Sequence, residues 1–179
     1  MAILKVARLG NPVLRKVAEP VPPEGISAPA IQHLIDDLIE TMLEYDGAGL
    51  AAPQVHVSKQ IVVYEVNAEG KERAPLTVLV NPQVVPDATD VVEDWEGCLS
   101  LPDLRGRVPR YAAVRVKALD RKGRTIEYAA RGFHARVIQH ETDHLLGLLY
   151  VDRMRSLETL SFLDEHGRFW AKGGKDAPD

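Results

Sequence analysis

Residues 140–144 read His-Glu-Thr-Asp-His. Side chains four apart on a helix are neighbours, so both imidazoles can reach one ion. The bland alternative is a helix with two satisfied histidines and a solvated glutamate. Shuffling a chain with 6 His in 179 residues gives about 0.014 such matches, so chance is a weak explanation. Phe133, Val137, His140 and His144 share one helical stripe, with Ile138, Glu141 and Leu145 beside it. A glutamate bordering an apolar stripe needs a nearby charge to offset its burial.

A catalytic site of the zinc type uses three protein ligands and keeps one position open. Two histidines leave one ligand to find. In the extended pattern H-E-x-x-H-x-x-G-x-x-H, Gly147 fits the glycine, but Tyr150 stands where the third histidine belongs. A downstream carboxylate, Glu158 or Glu165, is a second candidate. The third is Cys98, the single cysteine, whose thiolate is a firm, soft ligand. A lone cysteine is more often a small buried hydrophobe. Spacing alone leaves these candidates open.

The elements that must carry these residues are partly legible. Ser27 is placed to cap a helix running to about Tyr45, with Ile31, Leu34, Ile35, Leu38, Ile39 and Met42 as its apolar stripe. The stripe reads as core packing. The stretches 59–66, 76–82 and 82–87 read as strands, and 112–120 with 124–130 reads as a hairpin around Arg121-Lys122-Gly123. A helix is expected from about Phe133 to Leu146, ended by Gly147, and a last one from a Ser156 cap through Leu157, Leu160 and Leu163. Strands in the middle without βαβ alternation make the class α+β.

At 179 residues the chain is long enough for one core without disulfides or other staples. A net charge of −4 carries no footprint for nucleic acid or an anionic membrane. No apolar run reaches the roughly 18 residues that a spanning helix needs. The start has no signal-peptide core, so the chain reads as not exported, and one cysteine suits a reducing compartment.

Two further stretches complete the pattern. Residues 47–54 read GAGLAAPQ, and residues 96–100 read EGCLS. Gly97 next to the thiol suits close approach of backbone to a ligand. Glycines in the first stretch fit a tight turn, and Gln54 offers a neutral donor of the kind an oxyanion site uses. With QHETDHLLG at 139–147, the three stretches resemble, in order and without mismatch, the motifs of the peptide deformylases. The likeness runs from RLGNPVLR near the start to Met154.

That resemblance implies an α+β fold with antiparallel sheets around a central metal-binding helix. It implies a single catalytic metallohydrolase domain over 1–170, with 171–179 as a flexible tail. It makes Cys98 the third ligand beside His140 and His144, and Glu141 the general acid and base. Gln54 and the backbone amide of Leu99 would hold the oxyanion. Ala48, Gly49, Gly97 and Arg105 would bind an extended peptide, Glu96 pairing with Arg105 to brace the cysteine loop. The implied reaction removes formyl from the formyl-methionine of nascent chains. The cofactor is one divalent ion, iron(II) by resemblance, with zinc, nickel or cobalt suiting the same ligands. The implied setting is the bacterial cytoplasm, an organellar origin staying open, for a monomer that meets formyl-methionine peptides and, as a further candidate partner, the ribosome near its exit tunnel. One departure stands out. Arg136 lies one turn before His140, where an apolar residue often lines the methionine pocket, and is expected to extend its head to water over an apolar stem.

Overall fold

The computed structural model describes residues 2–67 and 73–171; the expected tail lies outside these apart from Ala171. Among the described residues, eight strands and four α-helices follow in the order α1 (Pro29–Glu44), β1 (Gly49–Ala51), β2 (Ile61–Val66), β3 (Ala74–Pro86), β4 (Val91–Cys98), β5 (Leu101–Tyr111), β6 (Ala113–Leu119), β7 (Thr125–Arg131), α2 (Gly132–Leu145), α3 (Tyr150–Arg153), β8 (Ser161–Phe162) and α4 (Leu163–Phe169). A five-stranded sheet has the order β1-β2-β3-β6-β7, and a three-stranded sheet β4-β5-β8. Every pairing within them is antiparallel.

Strand β2, paired on both sides, is apolar on both faces because both faces are covered. Ile61 and Val63 pack with Ile35, Leu38 and Met42 of α1. Val62, Tyr64 and Val66 pack with Ala135, Ile138 and Leu145 of α2. The opposite side of α2 carries Arg136, His140 and Asp143, which meet β4 and β5. The metal-motif helix is thus a layer between two sheets.

Several expectations need correction. Helix α1 starts from Ala28 with Pro29 in its first turn, and no side chain caps it. Proline's fixed φ starts the helix without Ser27. The two strands expected across 76–87 are one, kinked where Asn81 takes φ 52 and the pairing shifts register. The Asn81 amide holds that bulge by exchanging hydrogen bonds with the backbone of Val21, 2.8 and 2.7 Å. Ser156 caps no helix; its hydroxyl turns back on the Glu158 amide, and α4 begins only at Leu163.

The N-terminal arm crosses the molecule. Ala7 N donates to Gln54 O at 2.7 Å, Leu9 N to Ser100 O at 2.8 Å and Ala18 N to Leu145 O at 2.8 Å. Gly147, at φ +72, lies so close that a Cβ there would come 2.8 Å from the backbone of Arg15.

Candidate metal centre

Strand β4 ends at Cys98, and Leu99 and Ser100 turn the chain into β5. Helix α2 brings His140 and His144 to the same point, as their four-residue spacing requires. One sulfur and one nitrogen from each histidine all lie within 4.8 Å of one another, and all three residues are buried. Cys98 Sγ and His144 Nε2 are 3.4 Å apart. Tetrahedral bonds of about 2.3 Å to sulfur and about 2.0–2.1 Å to nitrogen separate ligand atoms by roughly 3.5 Å, so the donor set fits a divalent ion. Glu158 and Glu165 are exposed on the surface and are not in this cluster. Tyr150 is buried, its ring stacked 6.2 Å from that of His140.

His140 donates Nδ1–H to Glu96 Oε2 at 2.8 Å, which turns Nε2 toward the ligand cluster. Glu96 is not paired with Arg105. Arg110 holds it with a fork, Nε to Oε1 at 2.9 Å and Nη2 to Oε2 at 3.0 Å, and Arg136 adds Nη1 to Oε1 at 2.7 Å. The reason is register. Glu96 stands opposite Gly106, and side chains alternate faces, so Gly106, Val108 and Arg110 share its side while Arg105 does not. The Arg105 guanidinium lies over Gly97, where a Cβ would come 2.0 Å from Nη1. Burial alone would raise the Glu96 pKa, but hydrogen bonds from His140 and Arg110 hold it well below the carboxylate range.

Sequence reasoning gave no role in this network to Arg110, Asp143 or Arg153. Arg110 also bonds Asp143, which is held in turn by Arg153 at 2.7 Å. The aspartate inside the histidine motif was visible; its partner needed a register that the sequence does not display. Arg136 corrects the other expectation. Its head is buried, bonded to Val108 O at 2.8 Å and Val92 O at 2.7 Å as well as to Glu96.

The remaining expected residues meet around one cavity of about 710 Å³. Gln54, Ala48, Gly49, Gly97, Cys98 and Leu99 line it, together with Arg105, His140 and Glu141. Gln54 sits in a short 3-10 turn (Ala52–Val55), where its Oε1 accepts from Ala51 N at 2.8 Å. That bond fixes the flip of the amide, so Nε2 points to Ser100 Oγ at 3.2 Å and Cys98 Sγ at 3.5 Å. Glu141 packs against Gly49, and its Oε2 is buried without a hydrogen-bond partner. Burial pushes its pKa up to about 7. A proton acceptor raised toward neutrality beside a ligand cluster is the arrangement acid–base chemistry needs. Strand β1 is an edge of its sheet, and its Gly49 borders the cavity, which suits an added peptide strand.

The sequence model of the family described as polypeptide deformylase matches residues 3–160. The chain belongs to this family. It is 42% identical over 166 residues to peptide deformylase 2 of Pseudomonas syringae, covering 90% of this chain and 93% of that one. Peptide deformylase 1 of Bordetella pertussis is 43% identical over 163 residues, 89% and 92% of the two chains. Among solved structures, a Met-Ala-Ser-bound class I type b peptide deformylase from Acinetobacter baumannii superposes with TM-score 0.81 at 37% identity, over 86% of this chain and all but 1% of its own. Peptide deformylase from Ehrlichia chaffeensis gives 0.82 at 30%, over 88% and 91%. The deformylase fold therefore accounts for the helix layered between antiparallel sheets.

Proposed function

We infer that the protein removes the formyl group from the N-terminal formyl-methionine of newly made chains. The observation that carries this is the ligand cluster of Cys98, His140 and His144 with the unpartnered, buried Glu141 at its side, in a chain of the deformylase family. In this reading the three residues hold one divalent ion. Such an ion supplies Lewis acidity, lowering the pKa of a water and polarising the formyl oxygen.

The chain's own groups do the rest. Glu141 takes a proton from the water as its oxygen bonds the formyl carbon, then delivers that proton to the amine as the C–N bond breaks. Formate and a free amino terminus leave. Positioned proton transfer of this kind contributes about 10²–10⁴-fold. Gln54 Nε2 and the Leu99 amide donate to the developing oxyanion, and Gln54 arrives pre-oriented because Ala51 holds its other end. Ala48, Gly49 and Gly97 flank an extended substrate, and Arg105 covers Gly97 at the rim. We assign iron(II) as the ion by family, since Cys and His ligands alone suit several metals. The setting is the bacterial cytoplasm, and the acting form a monomer; bacterial relatives support the first. No helix among the described residues is long and apolar enough to cross a membrane.

Formate release from formyl-Met-Ala and acetyl-Met-Ala tests the reading, with elemental analysis of protein purified without oxygen. One equivalent of iron and a preference of at least about 10²-fold for the formyl peptide are expected. Comparable kcat/KM for the two peptides overturns the activity, and another metal at full occupancy overturns iron.

A further inference from the structure

The span that the family model matches ends at residue 160, and the chain goes on. Beyond it, β8 joins the sheet of β4 and β5, and α4 follows at once. Strand β8 pairs at Leu104↔Phe162 and Arg105↔Ser161, so it docks on the stretch of β5 that carries Arg105 to the rim of the large cavity. The next residue, Leu163, lines that cavity itself. We propose that this C-terminal segment is one wall of the peptide site, where Leu163 together with Trp95 takes an apolar side chain of the substrate's second or third residue. The proposal rests on the deformylase reading.

Position comes first. Trp95 lies three residues before Cys98 on β4. At about 3.3 Å per strand residue this is roughly 10 Å from the ligand cluster, the reach of an extended peptide over about three residues. A formyl group held at Cys98, His140 and His144 therefore brings the second or third residue level with Trp95. Leu163 reaches the same cavity from much later in the chain. Both side chains are apolar in body and partly open there: Trp95 is half-buried and Leu163 is 44% exposed. Exposure alone does not mark the wall. Phe162 is more exposed still, yet it does not line the cavity.

Support for the wall comes second. Trp95 meets the His166 ring edge-on, with centroids 4.4 Å apart at 74°, and the Trp170 ring at 5.7 Å. Two rings of the C-terminal segment thus hold the indole that borders the cavity. Burial and the nearby Arg105 charge lower the His166 pKa, so its ring is neutral at pH 7 and packs as an aromatic body without repelling that arginine. The segment is therefore tied down at both ends of its short run, by backbone pairing at Ser161 and Phe162 and by ring contacts at His166 and Trp170. Leu163 lies between these anchors. An apolar side chain that covers it removes half-open apolar surface from water at little further cost in order.

The test uses a pair of peptides and the chain's own fluorescence. Trp95 and Trp170 are its two tryptophans, so intrinsic emission reports this cluster alone. Met-Ala-Ala-Ala and Met-Leu-Leu-Ala are titrated into nickel-loaded protein by fluorescence and calorimetry, and their formylated forms are then assayed for turnover. The leucine peptide is expected to bind the unaltered protein at least about 5-fold tighter and to shift the emission further. Leu163→Asp is expected to bring the two affinities within about 2-fold of each other. Phe162→Ser, altered beside the wall but outside it, is expected to keep the original ratio. Equal affinities in the unaltered protein overturn the proposal, and so does a ratio that Leu163→Asp leaves unchanged. A ratio lost equally in Phe162→Ser overturns the assignment to Leu163. If Leu163→Asp does not fold, Leu163→Ala takes its place under the same criterion. A protein that shows the ratio but leaves formyl groups intact refutes the function and keeps the wall. Binding of neither peptide refutes both.

Discussion

Glu141 sits in space that Gly49 leaves open: a Cβ on Gly49 would come 2.6 Å from Glu141 Cγ and Oε1. Burial there raises the carboxyl from 4.5 to about 7. A folded pKa above the unfolded one means that the unfolded chain gives up its proton first. The contribution to stability is therefore full below about 4.5 and is lost as pH rises through about 7. Metal-free protein should lose melting temperature between pH 5 and 8 relative to metal-free Glu141→Gln, which cannot ionise. Calorimetric scans across that range check this, and parallel curves would show that Glu141 does not titrate there. In the loaded enzyme, Glu141→Gln should keep its metal and peptide affinity while kcat drops at least about 10²-fold. Loss of metal with activity would make Glu141 a ligand or an anchor instead.

At the scale of elements, β4, β5 and α2 are joined by buried charge. Arg110 links Glu96 on β4 to Asp143 on α2, each partner nearly inaccessible. Removing one member of such a pair strands the other, so Arg110→Met should cost about 3–5 kcal/mol in denaturant unfolding. It should also change the acid limb. Glu96 is held below its ordinary range despite burial, so its contribution is present above about 4.5 and fades only as pH falls toward the depressed folded value. Circular dichroism on acidification should place the Arg110→Met transition at higher pH than the original; coincident transitions would mean that Glu96 draws nothing from Arg110. The same elements show what a sequence displays and what it hides. The histidine pair was legible because helical spacing is local, and the hairpin of β6 and β7 because both strands alternate around a glycine turn. Strands β4 and β5 escaped notice because charges and two prolines, Pro102 and Pro109, mask their alternation. Without β4–β5 register, nothing in the sequence set Arg110 apart as the partner of Glu96, and the resemblance pointed to Arg105. Arg136 was misread for a related reason: besides Glu96, its acceptors are backbone carbonyls of strands distant in sequence, which no side-chain pattern announces.

Across the whole molecule, the N-terminal arm clasps parts that the rest of the chain brings together. Gly147 closes that clasp in a left-handed turn against Arg15. Gly147→Ala meets both a backbone conformation that disfavours a Cβ and a contact with no room for one. A loss of roughly 1–3 kcal/mol is expected, read as a lowered melting temperature with the metal-binding cluster still able to load; an unchanged melting point would show that the arm yields freely. The clasp has a consequence in time. The backbone of residues 7, 9 and 18 bonds to residues 54, 100 and 145 respectively. The arm is made before every part it docks on, and its last docking site does not exist until α2 has been made. Gln54 consequently gains its backbone support early, Ser100 later and the end of the histidine helix last, so the site closes from its substrate side toward its metal side as synthesis proceeds. Contacts this distant in sequence close slowly, and a nascent chain cut before Gly132 would lack the helix that faces the cysteine loop.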